Sequence, residues 1–306
     1  MPPLFEPLRV GNVTVNHRAR APVPGNLIIA EATVISAIQA WKKITDAVHG
    51  KGSYIFCQLV APGRVADTGT LRKEGGFEVS APIPIPMEDG AAGFGALTEE
   101  EIYDFMRDFA IAAKNAIAAG FEGVEVYGSN GYQVDQFLQD VRNWRTDQWG
   151  GSVENRARFG IEVSKALVEA VWCGTGFRIS PWNTWQGMKM ADPVPQFPYL
   201  VRQLKDLGLA YLHVIESRVI NNVDCEKQED IKTFLDTWGR KSPVLIAGGY
   251  KPENVLHAIQ HEYKDHNIAH GIPLQEYDRN TFYTPMQCHG YADYPFSSEF
   301  QACLKN

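Results

Sequence analysis

Four hydrogen-bonding side chains crowd into a short stretch of this sequence: Tyr127, Ser129, Asn130 and Tyr132, separated by Gly128 and Gly131. They follow directly on Val124, Glu125 and Val126, a run entered through Gly120 and Gly123 that reads as a buried strand. Tyr132 brings a phenol, which has a reference pKa of about 10, stays protonated at pH 7 and can give up a proton. Tyr127 adds a second O–H, and Asn130 an NH2 donor. A strand that runs out into glycines and hydrogen-bonding side chains is how an α/β barrel presents chemistry at its C-terminal rim.

Gly248 and Gly249 close another apolar run just before Pro252 and a predicted helix. Backbone N–H groups in that setting suit a phosphate, although a Gly-Gly pair alone says little. His257 and His261 stand four apart on the predicted helix without a third ligand, so they read as a surface pair rather than a metal site. No GxSxG, P-loop, CxxC or GxGxxG is present. Cys57, Cys173, Cys225, Cys288 and Cys303 are scattered and odd in number, as expected of reduced thiols inside a cell.

The elements that must position these residues alternate. Residues 5–18 read as two short strands around Gly11 and Asn12. Strand-like runs at 27–33, 54–59, 124–126, 177–180, 211–215 and 244–247 are interleaved with helical patterns. Those patterns fall at 40–49, 98–119, 153–171, 195–207, 225–238 and 252–263. Thr98 and Glu101 have capping-box spacing, and Ile102, Phe105, Met106, Phe109, Ala112, Ala116 and Ile117 form the apolar face that follows. Residues 60–97, with Pro82, Pro84 and Pro86, read as one long loop.

An apolar run followed by an amphipathic helix, repeated, describes a parallel sheet wrapped by helices. A chain of 306 residues accommodates one such (β/α)8 domain, for which about 250 residues is typical, so 1–306 is read as a single domain. Six strands are clear. The segment before residue 27 is too short for a full first unit, and residues 267–269 are too short for a last strand. The expected fold is therefore α/β, a (β/α)8 barrel with its first and last units truncated or remodelled. A net charge of −7 leaves no basic stripe for nucleic acid. No apolar run reaches the roughly 20 residues of a membrane span, and no signal peptide opens the chain, which predicts a cytoplasmic protein. No residue pattern fixes an oligomeric state.

Residues 121–159 resemble the old yellow enzyme family, FMN-dependent ene-reductases on a (β/α)8 barrel, most of all its fungal ergot-alkaloid members. The matching residues are Asn130, Gly131 and Tyr132, then Asp135 to Leu138, then Asn143, Arg145 to Asp147, Trp149 to Ser152 and Glu154 to Arg156. Tyr127 departs from the pattern, since the family has histidine there. The resemblance implies that Tyr132 protonates the α-carbon of an enal or enone while Tyr127 and Asn130 grip its carbonyl and Tyr283 lines the pocket. It assigns Gln58, Ala32 and Arg178 to the flavin ring and Gly248 and Gly249 to its phosphate, with NAD(P)H as a transient reductant.

The family's strand 1 threonine and strand 8 Gly-Arg have no counterpart here. Charge-assisted hydrogen bonds contribute about 1.5–3 kcal/mol each, so FMN is expected to be held more weakly than is usual in the family. Two readings follow. The chain is a reductase of the C=C bond of an α,β-unsaturated aldehyde or ketone in fungal secondary metabolism, or it is a flavin-free homologue, inactive or acting as a non-redox isomerase or binding protein.

Overall fold

The computed structural model describes residues 8–15, 27–30, 38–85, 87, 95–171, 174–220, 223–225, 229–250 and 254. Ala32 and Tyr283, the first and last barrel units expected to be shortened, and all but Asn254 of the helix expected at 252–263 lie outside these residues. The chain opens with the hairpin β1 (Leu8–Val10) and β2 (Val13–Val15), followed by β3 (Leu27–Ile29), α1 (Ile38–His49) and β4 (Tyr54–Leu59). Next come α2 (Thr68–Gly75), the short pair β5 (Ser80–Ala81) and β6 (Gly95–Ala96), and α3 (Glu99–Ala118). Then follow β7 (Gly123–Gly128), α4 (Gln133–Leu138), α5 (Val153–Val171), β8 (Thr175–Ile179) and α6 (Gln196–Lys205). The last described elements are β9 (Tyr211–Ile215), the hairpin β10 (Val219–Ile220) and β11 (Val223–Asp224), α7 (Lys232–Trp238) and β12 (Val244–Ala247).

Six strands make one parallel sheet in the order β12-β9-β8-β7-β4-β3. Alternation along each strand sorts its side chains between two faces. Ile55, Cys57, Leu59, Val124, Val126, Phe177, Ile179, Leu212 and Val214 join one core with the buried residues of α3, α5 and α6. Full burial of a side chain such as Phe177 contributes about 1.5–3 kcal/mol. The opposite face holds Phe56 and Tyr211, which pack with Val10 and Val13 of the opening hairpin. One residue pair further along the strands, this face turns polar, with Gln58, Glu125 and His213. Glycine makes room for the rings below: a Cβ on Gly123 would strike the Phe56 ring, and one on Gly176 would strike Tyr211.

Three expectations need correction. The stretch 60–97 is not all loop, because it contains α2, whose N-cap Asp67 accepts from Thr70 N at 2.7 Å and whose C-cap Gly76 has φ 72°. Both signals, an Asp N-cap and a Gly C-cap, stand in the sequence ahead of the prolines. The helix expected from 225 begins only at Lys232: Cys225 N donates to Arg218 O across the foot of the β10–β11 hairpin, and Glu229 N to Ser217 Oγ, both at 2.8 Å. Ile117 is 40% exposed and lies outside the apolar face of α3, on which Ala113 is buried instead.

Candidate active site

Two polar clusters share the inner face of the sheet. The deeper one centres on Glu125, which is fully buried and sits opposite Gln58 on β4. Gln58 Nε2 donates to Glu125 Oε1, and His213 Nδ1 lies 2.9 Å from Oε2. Burial pushes the Glu125 carboxyl pKa up, but the His213 charge and hydrogen bond, the Arg178 charge and the Gln58 bond outweigh it and hold the group below the usual value. Burial and the Glu125 charge together push the Tyr211 phenol well above its ordinary range.

The upper cluster is the turn after β7. Tyr127 is paired in register with Arg178 on β8, whose guanidinium carbon lies 5.3 Å from the Tyr127 ring centroid. Asn130 takes a left-handed φ of 57°, a conformation asparagine tolerates better than most residues. Its backbone N–H donates to Ser180 Oγ at 2.7 Å. Asn183 Nδ2 donates to Asn130 Oδ1 at 2.6 Å, and Asn130 Nδ2 donates to the Tyr127 hydroxyl at 2.9 Å. The direction of this chain matters. The Tyr127 oxygen is already an acceptor, so its own O–H is left to donate outward, and chained hydrogen bonds polarise one another. The Tyr132 ring packs on Tyr127 with centroids 4.8 Å apart.

Asp135 fixes the turn from behind. Its Oδ2 accepts from Gly131 N at 2.9 Å and its Oδ1 from Gln139 Nε2 at 2.8 Å. Complete burial nevertheless dominates and raises its pKa from 3.8 to about 7. Between these values the unfolded chain has lost the proton that the folded chain keeps, so Asp135 makes stability fall as pH rises from 3.8 to about 7. Asp135→Asn is expected to flatten that stretch of the stability-versus-pH curve. Urea midpoints at pH 4.5, 5.5 and 7 measure it, and an unchanged slope would show that Asp135 is not the group responsible.

The expected site residues thus separate into groups. Tyr127, Asn130 and Tyr132 come together, and Arg178 links them to the layer of Gln58. Gly248 (φ 124°) and Gly249 (φ 62°) follow β12, at one end of the described sheet, and no described contact joins them to the tyrosine turn. Glycine is required at 249, where a Cβ would come within 2.8 Å of the Arg218 backbone. Sequence reasoning missed Glu125, His213 and Asn183. The first two carried a signal, since each is polar and flanked by apolar residues in a buried strand.

The residues present fit a flavin ring. Arg178 Nε is buried with no hydrogen-bond partner among the described residues, a donor that an acceptor from outside the chain would satisfy. The sequence profile of the NADH:flavin oxidoreductase / NADH oxidase family matches residues 23–274. The chain belongs to this family. A chanoclavine-I aldehyde reductase of Penicillium roqueforti (strain FM164) is 46% identical over 321 positions, covering 94% of this chain and 87% of the relative. A protein of Epichloe festucae var. lolii named a probable inactive reductase is 41% identical over 323 positions, with 92% of this chain and 85% of the relative covered.

Among solved structures, Old Yellow Enzyme from Pichia sp. AKU4542 is similar with a TM-score of 0.81 and 31% identity, over 96% of this chain and 93% of that one. The architecture is the TIM barrel of the old yellow enzymes, and β3, β4, β7, β8, β9 and β12 supply its six described parallel strands. No described helix is long and apolar enough to cross a membrane, and no described cluster of His, Cys, Asp or Glu has the makings of a metal site.

Proposed function

We propose that this old yellow enzyme homologue is an NAD(P)H-dependent FMN reductase of the C=C bond of α,β-unsaturated aldehydes or ketones in fungal secondary metabolism. The observation that carries this reading is the directed donor chain from Asn183 through Asn130 to Tyr127, with Tyr132 packed beside its end. The Tyr127 O–H and the second N–H of Asn130 polarise the substrate carbonyl. Tyrosine at 127 does the work expected of histidine with its O–H as the donor. Tyr132 then holds the proton that goes to the α-carbon. FMN, when bound, supplies the hydride for the β-carbon.

Gln58 and Arg178 would hold the pyrimidine edge of the flavin, and the Gly248–Gly249 backbone its phosphate; Ala32 and Tyr283 keep the roles the resemblance implies. A single domain with shortened first and last barrel units is part of the same proposal. It is supported by alignments longer than the 306-residue chain itself, which require the relatives to carry residues this chain lacks. Weak flavin retention follows from it. The second reading, a flavin-free homologue, is favoured by the Arg178–Tyr127 stack, in which the guanidinium already has an aromatic partner.

The test is direct. Protein saturated with FMN and then dialysed is expected to keep a substoichiometric flavin spectrum and to oxidise NADPH faster when 2-hexenal is added. If FMN-saturated protein oxidises NADPH no faster with a panel of enals and enones than without, the flavin-free reading stands instead.

A further inference from the structure

We propose that the rim beside Tyr132 carries a phosphate-recognising site built on Arg142 and Arg64, which takes a phosphoryl group of the nicotinamide dinucleotide; this rests on the reductase reading above. Three loops at the C-terminal ends of neighbouring strands form it. Arg64 lies in the single turn Gly63–Val65 beyond β4, Arg142 in the loop beyond α4, and Gly187 in the turn Trp185–Gly187 beyond β8. A Cβ on Gly187 would collide with Arg142 Nη2 and stand 3.3 Å from Arg64 Nη2, so both guanidinium heads converge on this glycine. Arg64 Nη2 donates to the carbonyl of Gln186. Gln186 in turn lies against Gly131, where a Cβ would meet Gln186 Cβ at 2.8 Å. The pair therefore adjoins the turn that carries Asn130 and Tyr132.

Arg142 is held there with little to bind. Among the described residues its hydrogen bond is to the carbonyl of its own neighbour Val141, at 3.2 Å, and its Nε is buried without a partner. Burial first, and the adjacent Arg142 charge second, pull the Arg64 guanidinium down to about 10. An anion between them relieves that repulsion, and the planar guanidinium fork matches phosphate oxygens.

The surroundings narrow the anion to a nucleotide. Trp144, two residues after Arg142, is 66% exposed, and Trp185, in the Gly187 turn, is 37% exposed. Exposed indoles carried two residues from Arg142 and from Gly187 suit a ligand that joins a planar base to a phosphate. The flavin phosphate has its own expected place beyond β12, on the far side of β9 from β8. That leaves the 2′-phosphate or the pyrophosphate of the nicotinamide dinucleotide.

Isothermal titration calorimetry on the FMN-saturated full chain separates these. Arg142→Ser is expected to weaken binding about tenfold to a hundredfold. Loss confined to NADPH and adenosine 2′,5′-bisphosphate assigns the 2′-phosphate, whereas equal loss for NADPH and NADH assigns the pyrophosphate. Unchanged affinities in a folded Arg142→Ser protein overturn the site. On the unaltered chain, inorganic pyrophosphate should displace NADPH, and absence of displacement overturns the site without any variant. Enal reduction with unchanged dinucleotide affinity removes the site and leaves the reductase. Lost affinity in the variant of a chain that reduces no enal does the reverse.

Discussion

Tyr132→Phe is expected to slow enal reduction about 10²–10⁴-fold, the usual contribution of a positioned general acid, while NADPH consumption in the flavin-reducing half-reaction continues at its normal rate. The substitution removes one oxygen and keeps the ring, so the packing on Tyr127 at 4.8 Å survives. Tyr132 caps α4 through its extended backbone and makes no side-chain cap bond, so the short helix does not depend on the hydroxyl. Stopped-flow traces of the two half-reactions measure the split. Equal slowing of both would indicate a general disturbance of the site, and unchanged enal turnover would remove Tyr132 from the proton-donor role.

The grouping of Tyr132 with Tyr127 and Asn130 was legible because it is local. Tyr127, Asn130 and Tyr132 lie within one turn, and a turn is built from consecutive residues whose glycines and donors can be read directly. Asn183 was not legible. It is a single asparagine in the loop after β8, 53 residues from the Asn130 it orients, and only the pairing of β7 with β8 brings them together. The Glu125 layer shows the same limit more sharply. Gln58 and His213 lie 67 and 88 residues away from Glu125.

Periodicity could place all three on buried strands, but it could not give the register that sets Gln58 opposite Glu125. Register is a tertiary property, fixed by packing of both sheet faces. The same physics explains the helix expected from residue 225, where composition suggested continuity but Cys225 and Glu229 bond back to Arg218 and Ser217 before Lys232 starts α7. The strand order of the sheet followed more easily, because sequential βαβ units place each strand beside the last.

Glu125→Ala is expected to be the most damaging single change in the described chain, lowering stability by about 3–5 kcal/mol, as for breaking other buried ionic groups. The carboxylate is fully buried, and its loss strands the Gln58 amide, the His213 imidazole and the Arg178 guanidinium on one face. Glu125→Gln should cost less, because it keeps the volume and an acceptor oxygen while removing the charge. The pH dependence distinguishes charge from shape. The folded carboxyl titrates below its ordinary 4.5, so its ionic contribution is complete above the unfolded value and is lost as pH falls through the folded one. The gap between wild type and Glu125→Gln should therefore be widest at pH 7 and close under acid. Thermal melts of the three proteins stepped from pH 7 into acid, through and below the ordinary 4.5, measure this. A Glu125→Ala protein that melts with the wild type at pH 7 would show that His213 and Arg178 find other partners, and that the inner layer does not depend on the carboxylate.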